Sequence, residues 1–169
     1  DALGWLKAQI GPAEPQRGTG LATGADGLKR FAEFLRDQRS APSAARPASG
    51  AAMAGMAGMS TDMRPAEQQF GEHFRSIVQG DLRARLATAA MSNKPFNERL
   101  AWFWCNHFTV SMAKASARGI VGAFEREAIR PFIGGNFETL LKAAVKHAGM
   151  LRYLDNDQCP AMGKGTCAP

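Results

Sequence analysis

Two histidines and two carboxylates give this sequence most of its capacity for chemistry: His107, Glu127, His147 and Asp155. Imidazole and carboxylate groups together can bind a divalent transition metal or transfer protons as a general acid and base. No two of the four stand three or four residues apart, so a shared site requires separate helices to converge. The alternative is structural, with each histidine hydrogen-bonded to a buried partner, for instance His107 to Glu127.

All four residues are therefore candidates for catalysis, and His107, His147 and Glu127 are also candidate metal ligands. The structural alternative is the favoured one, so no cofactor is expected, with a divalent transition metal as the other possibility.

Arg126 and Trp102 are candidate ligand-binding residues. The spacing allows Glu127 to pair with Arg130 along one helix, while Arg126 reaches Asp155 on another. Such a network would fix how the helices pack, whereas an unpaired Arg126 would clamp an anionic ligand. Trp102 points away from the neighbouring core aromatics, so either another helix packs over it or it stacks on a ligand.

Sulfur chemistry is predicted at two places. Cys159 and Cys167 are close enough in sequence to form a disulfide in an oxidising compartment, whereas Cys105 is interpreted as a small buried residue rather than a nucleophile. A methionine series suggests copper(I) binding, loose docking of a linker on the core, or a disordered linker. It comprises Met53, Met56, Met59 and Met63.

The apolar spacing predicts an all-α fold, an irregular bundle of about six helices with a low-complexity linker. Helices are expected over residues 1–9, 26–39, 65–90 and 119–130, in a segment starting at Pro95, and after an N-cap at Asn136, with a last turn over 150–154. The inner stripe of the helix over 65–90 should contain Phe70, Phe74, Ile77, Val78, Leu82 and Leu86. The chain then divides into N-terminal helices (1–39), an Ala/Gly/Met/Pro-rich linker (40–64), a helical core (65–156) and a tail (157–169).

Composition narrows the class of protein. The chain has 169 residues, 45% of them hydrophobic, which suits one ordinary core. Its net charge of +6 is spread over both halves without a basic run, which disfavours nucleic-acid binding. No segment has the roughly 20 consecutive apolar residues of a transmembrane helix. The chain starts at Asp1 without the pattern of a signal peptide.

Three ordered blocks resemble the bacterial "domain of unknown function 1800" family. They are FNERLAWFWCNHFTVS at 96–111, GAFEREAIRP at 122–131 and KHAGMLRYLDN at 146–156. The resemblance covers roughly residues 65–156 and is loose before Pro65. It implies a largely helical protein without an established activity. The family's downstream block does not occur before Pro169, so the chain is expected to be a fragment, a truncated paralogue or one half of a longer protein.

The resemblance further implies an exported protein, periplasmic or extracellular, with a sulfatase-like exported protein as a neighbour. We therefore expect a helical segment that acts through protein–protein interaction or self-assembly. Its partner would be a further copy, the downstream part of the same protein, or that neighbour. A metal-dependent or acid–base hydrolase with a His/Glu/Asp site is the first alternative, and a nucleic-acid-binding module is the second. Whether the chain is an enzyme stays open.

Overall fold

The structure is a computed structural model, and it describes residues 1–40 and 65–158. The methionine series and both cysteines of the predicted disulfide, Cys159 and Cys167, lie outside the described residues.

The described residues form an all-α, irregular helical bundle without strands, as predicted. Its α-helices are α1 (Ala2–Gln9), α2 (Gly24–Ser40), α3 (Pro65–Met91), α4 (Pro95–His107), α5 (Val121–Phe124), α6 (Phe137–Lys146) and α7 (Ala148–Tyr153). Helix α5 continues directly into a π-helical turn, Glu125–Ile129. Two short 3₁₀ turns, Ala115–Ala117 and Asn156–Gln158, lie between the longer elements. Within this part of the chain, no helix is both long and apolar enough to cross a membrane.

Polar side chains at the helix ends explain where two helices begin. The side chain of Asn136 accepts a hydrogen bond from the Glu138 amide at 2.7 Å, which confirms the predicted N-cap. Helix α2 was predicted to begin at Asp26, but it begins two residues earlier, at Gly24. Thr23 and Asp26 exchange hydrogen bonds between side chain and backbone as a capping box.

The core consists of two apolar clusters. The larger one lies among α4 to α7 and contains the fully buried Ile129, together with Leu140 and Phe124. The smaller one joins α2 to α3, where the rings of Phe34 and Phe70 meet edge to face with centroids 4.9 Å apart. Burial of these apolar side chains fixes the positions of the helices.

The inner face of α3 is more polar than the sequence predicts. Leu82 and Leu86 were expected inside, but they are 54% and 55% exposed. Ala84 and Thr88 are buried in their place. The hydroxyl of Thr88 is satisfied, because it donates to the Ala84 carbonyl and accepts from the Arg17 amide. A hydrophobic stripe cannot reveal this face, since part of it is polar.

One close backbone approach requires glycine. A Cβ atom on Gly27 of α2 would lie 2.3 Å from the carbonyl oxygen of Gly119, which is less than any real contact allows. Helix α2 can therefore pack directly on the segment that leads into α5.

Candidate functional site

The π-helical turn after α5 is the centre of the candidate site. The amide of Arg130 donates to the carbonyl of Glu125, five residues earlier, at 2.9 Å. Around a regular α-helix, residues five apart point about 140° away from each other. The wider turn brings Glu125 and Arg130 to the same side, where their side chains pair at 3.2 Å. Single π turns of this kind are frequent at functional sites.

Arg130 is the most enclosed charge of the network, with only 2% of the residue exposed. It binds Glu98 of α4 through both terminal nitrogens, at 3.0 and 2.5 Å. Its Nε and Nη2 donate to the carbonyl of Glu14 in the N-terminal loop, at 2.9 and 2.7 Å. Burial alone would lower the pKa of Arg130, but hydrogen bonds and charges from Glu98 and Glu125 raise it overall.

Glu125 connects this pair to the rest of the network. Its Oε1 accepts from the side-chain amide of Gln16 at 2.8 Å, and its Oε2 lies 3.2 Å from Nε of Arg85 on α3. The distance to Arg85 meets an ion-pair criterion, but Nε of Arg85 is not aligned for a hydrogen bond. With two arginines and two glutamates, the cluster of Arg85, Glu98, Glu125 and Arg130 is electrically balanced.

Arg126 extends the network to α3. It donates to the carboxylate of Asp81 at 2.7 Å, to Gln16 at 3.1 Å and to the carbonyl of Ala22 at 2.5 Å. Burial raises the pKa of Asp81, although the hydrogen bond from Arg126 opposes this effect. Arg126 is thus committed to internal partners, which corrects its predicted pairing with Asp155.

The structure brings together two of the four catalytic candidates, Glu127 and His147. Nε2 of His147 lies 2.9 Å from Oε2 of Glu127, whose Oε1 accepts from the Gly24 amide, also at 2.9 Å. Nδ1 of His147 accepts from the Gly149 amide at 3.0 Å, so the ring caps α7. This acceptor role assigns the proton to Nε2, which donates to Glu127. Glu127 therefore pairs with His147. The sequence had suggested Arg130 as its partner, and that prediction is wrong.

Both ring nitrogens of His147 are occupied in this arrangement, one as a donor and one as an acceptor. A general base or a metal ligand needs a free lone pair on the imidazole. Within residues 1–40 and 65–158, no group of three His, Cys, Asp or Glu residues is placed to hold a metal ion. The geometry fits the structural alternative, while the acid–base and metal hypotheses stay predictions.

The other two catalytic candidates lie elsewhere. His107 is exposed at the end of α4, and its ring packs against Phe103, Trp104 and Phe108 rather than Glu127. Asp155 has a positive φ of 58° and forms an ion pair with Lys114 at 2.5 Å.

Trp102 and Cys105 both lie close to the charge network. The guanidinium of Arg85 lies over the ring of Trp102, 5.4 Å from its centroid, and the tryptophan is 38% exposed. Burial and, to a lesser extent, the charge of Glu125 raise the pKa of the Cys105 thiol to about 12. Cys105 is half-buried rather than buried, and it stays protonated at neutral pH.

Sequence reasoning missed Glu98, Arg85, Asp81 and Gln16 as members of the network. A signal for Glu98 was present, because it shares one helical face with the buried Ala101 and with Cys105. A charge on an apolar face calls for a buried partner. Gln16 and the carbonyl of Glu14 lie in a loop, where no periodic pattern marks them.

A comparison with protein families gives one match. The model of "Protein of unknown function (DUF1800)" matches residues 3–161. The chain belongs to this family. The DUF1800 match confirms the resemblance read from the three sequence blocks and extends it to the N-terminal helices. No curated protein and no solved structure matches the chain.

The extent of the DUF1800 match agrees with the structure. Residues before Pro65 take part in both the core and the network, through Ala13, the carbonyl of Glu14 and the side chain of Gln16. The family is uncharacterised, so membership assigns no activity to the chain.

Proposed function

We propose that this helical unit acts through association with a second copy of itself. The observation that supports the proposal is a set of aromatic rings that contact each other, three of them exposed and two half-buried against the core. We call this set the aromatic surface, and it consists of Phe103, Trp104, His107 and Phe108 from the end of α4 and Phe137 from the start of α6.

The aromatic surface is continuous. The ring of Trp104 lies 5.1 Å from Phe103, 5.7 Å from Phe108 and 5.7 Å from Phe137, measured between centroids. Phe103 and Phe137 are 56% and 52% exposed. Aromatic side chains are enriched in protein interfaces, and contiguous apolar patches are uncommon on monomeric proteins.

The same apolar character continues along α6. Leu141 and Val145 follow Phe137 at steps of four residues and are 36% and 44% exposed. Beside them, Glu138 and Lys142 form an exposed ion pair at 2.5 Å. A two-fold axis close to this pair would place Glu138 of one copy against Lys142 of the other, and the reverse. This self-complementary rim favours a second copy as the partner.

Analytical ultracentrifugation over the micromolar concentration range tests the proposal. We expect a monomer–dimer equilibrium that weakens about tenfold for each of Phe103→Ser and Phe137→Ser, because each loses the burial of a large apolar side chain. Leu82→Ser is the matched control, since Leu82 is 54% exposed on α3 and lies outside the aromatic surface. A protein that stays monomeric throughout, or a dimer that responds equally to all three substitutions, contradicts the proposal.

We also propose that the protein is exported to the periplasm or the exterior, on the family resemblance alone. Fractionation of the source cells, with antiserum against this chain, tests the location. Detection only in the cytosolic fraction would refute export without affecting the association proposal.

A further inference from the structure

A polar groove lies between the N-terminal loop, α2 and α3, on elements other than those that carry the aromatic surface. Its volume is about 540 Å³, within the usual range of small-molecule sites. Four charged residues of α2 line it, at steps of three, one and three along the helix: Asp26, Lys29, Arg30 and Glu33. This spacing places all four on one helical face, directed into the groove.

Two of the three carboxylates in the groove already have partners within the protein. Asp26 accepts hydrogen bonds from the amide and the hydroxyl of Thr23, at 2.9 and 2.7 Å. Asp81 on α3 is paired with Arg126.

Besides these two partnered carboxylates, the groove has two cations and one carboxylate. Within the described residues, the side chains of Lys29, Arg30 and Glu33 form no ion pair. A ligand with one anionic group and one cationic group would complement this set, because each charge meets a group of the opposite sign.

The rest of the lining suits a small molecule with a side chain. Leu21 and Ile77 supply apolar surface, and Ser76 supplies a hydroxyl group. No atom lies within 4 Å of the position that a Cβ would take on Gly80. The backbone of α3 is therefore open to a ligand at this point.

We propose that the groove binds an α-amino acid in its zwitterionic form. The ligand carboxylate contacts Lys29 and Arg30, the ammonium group contacts Glu33, and the side chain packs on Leu21 and Ile77. Binding is non-covalent and involves no proton transfer.

Backbone amide NMR of the full chain, titrated with L-leucine and with L-serine, tests the site. We expect saturable shifts at Ser76 and Gly80, with a Kd of about 1 mM or tighter for L-leucine. Two analogues probe the charges. The first is 4-methylpentanoate, which lacks the amine, and the second is 3-methylbutylamine, which lacks the carboxylate. Each should bind at least about tenfold more weakly than L-leucine.

Variants of α2 localise the binding. Arg30→Gln and Glu33→Gln should each weaken L-leucine binding about tenfold. Arg36→Gln should leave it unchanged, since Arg36 is exposed on the same helix but does not line the groove. The proposal is overturned if neither amino acid gives saturable shifts, if the analogues bind as well as L-leucine, or if all three variants behave alike.

Discussion

Replacement of Arg130 by methionine tests whether the charge network holds the fold together. The substitution keeps most of the apolar stem and removes the guanidinium, so Glu98 and Glu125 remain buried, at 4% and 5% exposure, without their common partner. Removing one member of a buried ion pair typically costs about 3–5 kcal/mol. Because domain stabilities are commonly about 5–15 kcal/mol, the free energy of unfolding should fall by a large fraction.

Arg85→Met is the matched control. Arg85 lies 3.2 Å from the same Glu125, but its side chain is 37% exposed and its Nε forms no hydrogen bond. Because Arg85 leaves fewer interactions unmade than Arg130, we expect a loss of about 1 kcal/mol. Denaturation with urea, followed by circular dichroism, gives both free energies on one scale. If Arg130→Met costs no more than Arg85→Met, the reasoning from burial is wrong.

Three further experiments probe other parts of the structure. Gly27→Ala should lower the free energy of unfolding by about 1–3 kcal/mol because of overpacking. Gly80 has open space around it, so Gly80→Ala should stabilise α3 by about 0.5–1 kcal/mol. Equal effects of the two substitutions in urea denaturation would contradict the close approach at Gly27. His147→Ala should cost about 1 kcal/mol through loss of the α7 cap, and His147→Asn, which keeps a capping acceptor, should cost less. With the two C-terminal cysteines replaced by serine, Cys105 should react with a thiol reagent in the folded protein far more slowly than in urea, because its pKa is raised to about 12. Fast reaction in the folded state would contradict the raised pKa.

The sequence predicted the features that depend on local pattern. The stripe of Phe70 and Phe74, the cap at Asn136 and the start at Pro65 follow from spacing, side-chain acceptors and proline geometry. The pairing of charges was not predictable in this way. Only the expected pair of Glu127 and Arg130 follows from α-helical spacing, and Arg130 instead pairs with Glu98 and Glu125. The partners of Arg126 are Asp81, Gln16 and a loop carbonyl rather than Asp155.

The π turn explains why spacing rules failed for the charge network. In an α-helix, Glu127 and Arg130 would be neighbours, and Glu125 would point elsewhere. The single hydrogen bond from the Arg130 amide to the Glu125 carbonyl reverses this order and leaves Glu127 to His147. The same turn lets Arg130 reach the carbonyl of Glu14, so it ties the N-terminal loop to α4. A network that depends on residues before Pro65 gives a physical reason why the DUF1800 match extends over residues 3–161.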